Sequence, residues 1–311
     1  MSRRSQPVTE GVSADRSTLA PSLAILWSTL LWGTLWIPLR RIDAAGASGA
    51  AAITVGFLIP LVLLLPFALA RWRSILAGGW TLWTAGLLLA FSIAFYSEGL
   101  LRGTVARVLL SFYLTPVWST LFERLLLGEP ITRRRIVTIL LGLAGMAVIF
   151  GGEAGLPLPR SSAEWMGLMA GVTWGLAMVF VKRTGSRPIF DRVFVHFVFL
   201  APLFLLATAI PGGHSSGGLE IQALVDSTIW LMVFAVVWML PVIWLTIFGA
   251  SHLGPGRVAI FLMLEIVVGL TTASLLTDEP FGMRELIGAV LITGACGVEL
   301  ALPRSISAGA R

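Results

Sequence analysis

The chain has one cysteine, one lysine, two tyrosines and three histidines in 311 residues, and only 12% of its residues are charged. With Cys296 alone in an apolar segment, neither an internal disulfide nor a thiolate metal cluster can form. Three scattered histidines offer no metal-ligand spacing, and no phosphate-cradling glycine loop or convincing catalytic triad is present. Gly249-Ala250-Ser251-His252 superficially resembles an intramembrane serine-protease box. Its serine, however, falls at a predicted membrane surface, and its fourth position is His where Gly is required. No basic run with interleaved aromatics marks a nucleic-acid surface, so no nucleic-acid partner, cofactor or metal is expected. Charged residues make up about 25% of ordinary soluble domains, which excludes that class here.

What is abundant is apolar sequence: 57% hydrophobic residues and a mean hydropathy of +0.90. A membrane span needs about 20 mostly apolar residues. Ten stretches qualify, near 20–39, 47–70, 80–101, 105–127, 134–151, 163–182, 191–210, 228–250, 257–276 and 284–302. The expected fold is therefore an all-α polytopic membrane protein of ten transmembrane helices. Residues 1–18 read as a disordered cytoplasmic tail, 303–311 as a second tail, and Pro211–Ser227, with its Gly-Gly-His-Ser-Ser-Gly-Gly core, as a flexible loop. With the N-terminus inside, 16 Lys and Arg residues fall on the cytoplasmic face and 6 on the other, which favours both termini in the cytoplasm. Trp72, Trp80, Trp165 and Trp230 lie near span ends, as membrane-interface tryptophans do, although packing between helices accounts for any one of them equally well.

Leu125-Leu126-Leu127-Gly128-Glu129-Pro130 recurs as Leu275-Leu276-Thr277-Asp278-Glu279-Pro280. At the same shift of 150 residues, Arg107 superposes on Arg257, Val108 on Val258, Leu114 on Leu264 and Val117 on Val267. Earlier in each half, Trp32-Gly33 aligns with Trp174-Gly175 at a shift of 142. Two five-span units, 19–152 and 163–302, follow from this. Because five is odd, the second unit enters the membrane in the opposite orientation, and inverted repeats are a geometric basis for alternating access.

Leu31-Trp32-Gly33, Thr173-Trp174-Gly175, Leu114-Thr115-Pro116 with Glu129 thirteen residues on, and Leu264-Glu265-Ile266 with Glu279 resemble, in their order and doubling, the EamA-type branch of the drug/metabolite transporter superfamily. The second half departs from that pattern with Ile266 in place of Pro116 and Asp278 in place of Gly128. The resemblance implies a proton- or exchange-driven carrier of small metabolites, with a central cavity lined by spans 1, 3, 4, 6, 8 and 9. Export of an amino acid or similar small amphiphile is the first expectation. Multidrug efflux and metabolite uptake are the alternatives within transport, and an intramembrane enzyme is the alternative outside it. The partners expected are a small-molecule substrate, the lipid bilayer of a bacterial inner (plasma) membrane and protons, with a homodimer left open.

Glu265 stands out among residues that could carry transport. It lies about nine residues into span 9, hence roughly 13 Å deep at 1.5 Å per residue. An intramembrane carboxylate costs at least about 2.5 kcal/mol, so it faces a cavity or a partner. It reads as a proton-coupling group or an anchor for a substrate ammonium, against the plainer reading of a protonated Glu bonded to a neighbouring helix. Trp32 and Trp174 offer a stacking surface for a cationic or aromatic substrate, or simply pack. Tyr113 and Tyr96 are placed to line the cavity. Glu98 and His196 are weaker candidates. Glu98 reads first as an interfacial carboxylate paired with Arg102 or Arg107, and a lone His on an apolar span is usually structural. Arg107 and Arg257 each fall in a first helical turn, where the macrodipole disfavours a cation. Pairing of Arg107 with Glu98 and of Arg257 with Glu123 as alternating gates is one reading, and snorkelling to headgroups the other. Glu129 and Glu279 read as capping residues at helix ends.

Overall fold

Within a bilayer every backbone amide must find its partner inside the protein, so apolar runs of this length resolve into helices. The computed structural model describes residues 11–47, 49–154, 159–209, 221–277 and 280–300, and helices are the only regular structure among them. In chain order they are α1 (Gly11–Gly33), α2 (Trp36–Ala44), α3 (Gly49–Ala70), α4 (Trp72–Leu76), α5 (Gly79–Arg102), α6 (Val105–Phe112), α7 (Thr115–Leu127), α8 (Arg133–Ala154) and α9 (Ser162–Arg183). They continue as α10 (Ile189–Ala209), α11 (Ile221–Asp226), α12 (Thr228–Val233), a π-helical segment (Phe234–Met239), α13 (Leu240–His252), α14 (Pro255–Leu262), α15 (Leu264–Leu276) and α16 (Met283–Leu300). The chain is an all-α polytopic membrane protein.

Each of the ten expected spans corresponds to a helix or an interrupted helix. Seven are long and apolar enough to cross a membrane: Thr18–Ala44, Gly79–Arg102, Val105–Leu127, Ser162–Arg183, Ile189–Leu206, Thr228–His252 and Pro255–Leu276. A count of ten rests in addition on α3, with its apolar stretch Thr54–Ala70, and on α8 and α16, whose end turns carry Arg133, Arg134 and Arg135, and Arg284, Glu285 and Glu299 respectively. At the N-terminus α1 begins at Gly11, so residues 11–18, expected within a disordered tail, have helical backbone. The remainder of that tail, the loop core 211–220, Asp278-Glu279 and the tail 303–311 lie outside the described residues.

Helix packing pairs elements from the two halves. α5 lies along α9 as α13 lies along α1; α6 and α7 run against α9 as α14 and α15 run against α1. α8 packs on α16, and α3 on α10, each on its own counterpart. The buried core between them is aromatic and aliphatic, with Phe57 tilted against Phe204 at 4.9 Å and against Phe234 at 5.9 Å. Apolar side chains also face outward in number, as a lipid-facing surface requires. Trp72, Trp80 and Trp165, near predicted span ends, are each more than half exposed.

Two glycines bring α8 and α16 into backbone contact. A Cβ on Gly145 would lie 2.8 Å from the Gly288 carbonyl oxygen, and one on Gly288 would lie 2.8 Å from the Gly145 carbonyl oxygen. Gly297, on the same helix, has nothing within 4 Å of its would-be Cβ. Overpacking of this kind costs about 1 to 3 kcal/mol. Gly288→Leu is expected to lower the thermal midpoint of the detergent-purified protein clearly, and Gly297→Leu to leave it close to wild type; equal midpoints for the two variants would contradict the α8–α16 contact.

Candidate functional site

Three of the long spans are interrupted near their middles, and the interruptions have local causes. Pro116 has no N–H to offer the carbonyl of Phe112, and the Thr115 hydroxyl bonds that carbonyl instead. The chain turns there through Tyr113 and Leu114, ending α6 and starting α7. The counterpart break, between α14 and α15, falls at Met263, 150 residues after Tyr113, with no proline. Met263 N–H bonds Ile260 O, and Ile266 N–H bonds Met263 O, the tighter i→i−3 pattern. Thr34 and Leu35 separate α1 from α2, with the Thr34 hydroxyl returned to Leu30 O at 2.6 Å. The π-helical turn before α13 similarly precedes Pro241, where the helical amide is missing.

A cavity of about 550 Å³ lies where these breaks converge. Most of its wall is apolar or aromatic, and among the described residues that line it Glu265 alone is charged. Because the break restarts the helix at Leu264, Glu265 occupies the first turn of α15, where free amides and the helix dipole favour an anion. Tyr113, at the matching break, donates its hydroxyl to Glu265 Oε1. No described residue donates to Oε2. Tyr96 reaches the same wall from α5, with its ring 4.8 Å from Phe112, which in turn lies 5.1 Å from Tyr113. Trp32 and Trp174 meet edge to face at 6.3 Å and 78°, and neither buried indole N–H has an acceptor among the described residues. Their neighbouring glycines explain how two tryptophans fit: a Cβ on Gly33 would strike Glu265 O at 2.6 Å, and one on Gly175 would strike Ser119 N at 2.9 Å. Thus α1 touches α15, and α9 touches α7, backbone to backbone.

Five of the seven binding or coupling candidates, Glu265, Tyr113, Tyr96, Trp32 and Trp174, therefore share one cavity. The other two lie elsewhere. Glu98 pairs with Arg102 at 2.8 Å, one turn along α5, and His196 is fully buried in α10 with its ring 5.0 Å from Phe197. Neither His196 ring nitrogen has a hydrogen-bond partner among the described residues. The candidate gates form different contacts from those expected. Arg107 makes a two-pronged contact with Glu164 of α9, at 2.8 and 3.1 Å. Arg257 lies over the Phe261 ring at 5.4 Å. Glu123 accepts the amide of Gly256, next to Arg257, at 3.1 Å, and so caps the N-terminus of α14. Ser251 donates to Ile247 O at 2.6 Å and receives Arg192, while His252 Nδ1 engages Phe248 O. The protease-like tetrapeptide is taken up by helix contacts.

Glu123 belongs to a cross-linked end of the bundle. Arg135 of α8 pairs with Glu299 of α16 at 3.1 Å, Lys182 of α9 donates to Leu253 O at 3.1 Å, and Arg183 donates to Leu126 O at 2.5 Å. α7 is packed on α14 here, whereas α6 and α15, the exchanged pair, make no comparable contact among the described residues. The cavity occupies that second gap, with Val105 and Leu109 on one side and Gly269 and Leu270 on the other. Sequence reasoning passed over Glu164, Arg135, Glu299 and Trp36. Ser161 caps α9 by accepting the Glu164 amide, and the Glu164 carboxylate accepts the Ser161 hydroxyl and the Arg160 amide, so that in sequence the acidic residue reads as a helix start. Trp36, which lines the cavity and donates to Thr272 at 3.2 Å, carries the one available signal, its spacing of four from Trp32.

The family model for the EamA-like transporter family matches residues 19–151 and again 161–298. A curated relative, the uncharacterized transporter YvbV of Bacillus subtilis (strain 168), is 24% identical over 285 residues, covering 88% of this chain and 90% of the relative. A crystal structure with 21% sequence identity superposes with a TM-score of 0.73, covering 94% of this chain and all of that one, which shows the fold.

Hydrogen bonds to charged groups contribute about 1.5 to 3 kcal/mol, so loss of the Glu123 cap should weaken the first turn of α14 roughly ten-fold or more in local opening. Glu123→Ala is expected to speed amide exchange in the peptide spanning residues 254–262, read by hydrogen–deuterium exchange mass spectrometry, while leaving α10 protected as in wild type. Unchanged exchange at 254–262 would contradict the cap.

Proposed function

The chain belongs to the EamA-like transporter family, and we propose that it is a secondary transporter that carries a small amphiphile across a bacterial inner membrane by alternating access, with Glu265 as the anchoring and proton-coupling group. The observation that carries this reading is the position of Glu265, the one charged side chain among the described cavity-lining residues. A carboxylate within the membrane costs at least about 2.5 kcal/mol, and a bound proton or a bound ammonium relieves that cost. Occupancy of the site and its charge are thereby linked, which is what coupled transport needs.

Exchanged helix contacts between the two halves support two inverted five-helix units, 19–152 and 163–302, and ten spans in all. The inequality of the two broken-helix contacts supports alternating access. α7 is shut on α14, and the cavity lies between α6 and α15; the other state would close α6 on α15 and free Glu123 from α14. The excess of Lys and Arg supports a cytoplasmic location for the closed end, with Arg124, Arg135 and Lys182, and for both termini. In that orientation the cavity described here faces outward.

Proteoliposome counterflow tests the reading. Glu265→Gln keeps size and insertion but cannot carry the charge, and it is expected to reduce flux driven by an imposed pH gradient at least about ten-fold, the scale of a lost charge-assisted contact. Wild-type flux in correctly inserted Glu265→Gln protein would remove Glu265 from the mechanism.

A further inference from the structure

We infer that the cavity selects a singly positive amine with an apolar body and discriminates against zwitterionic amino acids, an inference that rests on reading this cavity as the transport site. Three observations support it. Glu265 Oε1 is engaged by Tyr113 and no described residue donates to Oε2, so one carboxylate oxygen is open to a ligand donor. The described ion pairs, Arg71–Asp191, Arg102–Glu98, Arg107–Glu164 and Arg135–Glu299, all lie away from the cavity, so a ligand ammonium meets no competing protein cation on the described wall. The wall beside Glu265 is aromatic, with Tyr96, Phe112, Trp32 and Trp174, and ring faces attract cations more strongly when water is excluded.

Charge balance then separates the ligand classes. An ammonium on Glu265 leaves the site neutral. A zwitterion brings a second carboxylate into a wall on which no described residue is cationic, and one negative charge stays uncompensated in an apolar cavity. An anion is repelled outright. A cavity of about 550 Å³ falls in the range of small-molecule sites, and it has room for an aryl-alkyl amine.

Four probes that share one phenyl body test this: phenylalaninol and 2-phenylethylamine (cations), phenylalanine (zwitterion) and 3-phenylpropionate (anion). Each is titrated at pH 7.5 into the full-length, detergent-purified protein, with thermal-shift and tryptophan-fluorescence readouts. The expected result is phenylalaninol at least about ten-fold tighter than phenylalanine, no binding of phenylpropionate, and loss of the phenylalaninol preference in Glu265→Gln. Phenylalanine binding as tightly as phenylalaninol, with both dependent on Glu265, would overturn the selection while leaving the cavity as the transport site. Binding of the amines unaffected by both Glu265→Gln and the cavity-filling Ser97→Trp would overturn the site itself. Failure of both cations to bind at millimolar concentration would overturn the selection as well.

Discussion

A lipid interior tolerates neither an unsatisfied backbone nor an uncompensated charge, and this protein accommodates both at the same place. The breaks after α6 and α14 open two helices near mid-membrane, where free helix ends are tolerable only against a cavity. One break presents Tyr113, and the other presents Glu265 in the first turn of a new helix; the tyrosine donates to the carboxylate. Gly33 and Gly175 then decide how near α1 and α9 approach these helices, and Trp32 and Trp174 follow into the same space. Had the spans been continuous, Glu265 would face a satisfied helix and have no N-terminal dipole to offset its charge.

The frame is nearly symmetric and its chemistry is not. At the shift of 150 residues, Thr115 stands where the second half has Glu265, and Ala273 where the first half has Glu123. Glu123 therefore caps α14, with nothing equivalent on α15 to cap α6. Arg107 pairs with Glu164, and its counterpart Arg257 lies over the Phe261 ring. The end around α7 and α14 is tied by the Glu123 cap and the Arg135–Glu299 pair, and the cavity end carries the Arg107–Glu164 pair beside an apolar wall.

The sequence was most legible where physics is local or periodic. Apolar run length located the spans, the doubled Leu-Leu and Glu-Pro segment exposed the repeat, and a lone glutamate within an apolar run marked the cavity. Pro116 accounts for one break, because a missing N–H must be felt one turn earlier. Met263 carries no such mark, and its break became visible only in the backbone. Long-range pairing was least legible: Tyr113 and Glu265 are 152 positions apart, and Arg107, read as pairing with nearby Glu98 or as snorkelling to headgroups, contacts Glu164, 57 positions on. Glu98 found a nearer partner, Arg102 at the helical spacing of four, by the rule that makes such pairs readable. His196 has the burial its apolar neighbours suggest but, among the described residues, none of the hydrogen bonds expected of a structural histidine.

The central claim is that the positive charge of the substrate rests on Glu265 inside the cavity. Carbodiimide labelling of the full-length protein, with the modified residue identified by mass spectrometry, tests it directly, since these reagents favour carboxyl groups in apolar surroundings. Labelling is predicted at Glu265 and suppressed by a cationic amine but not by an anion of the same body. Labelling of Glu265 that no amine suppresses, or substrate protection at Glu98 in its place, would contradict the account.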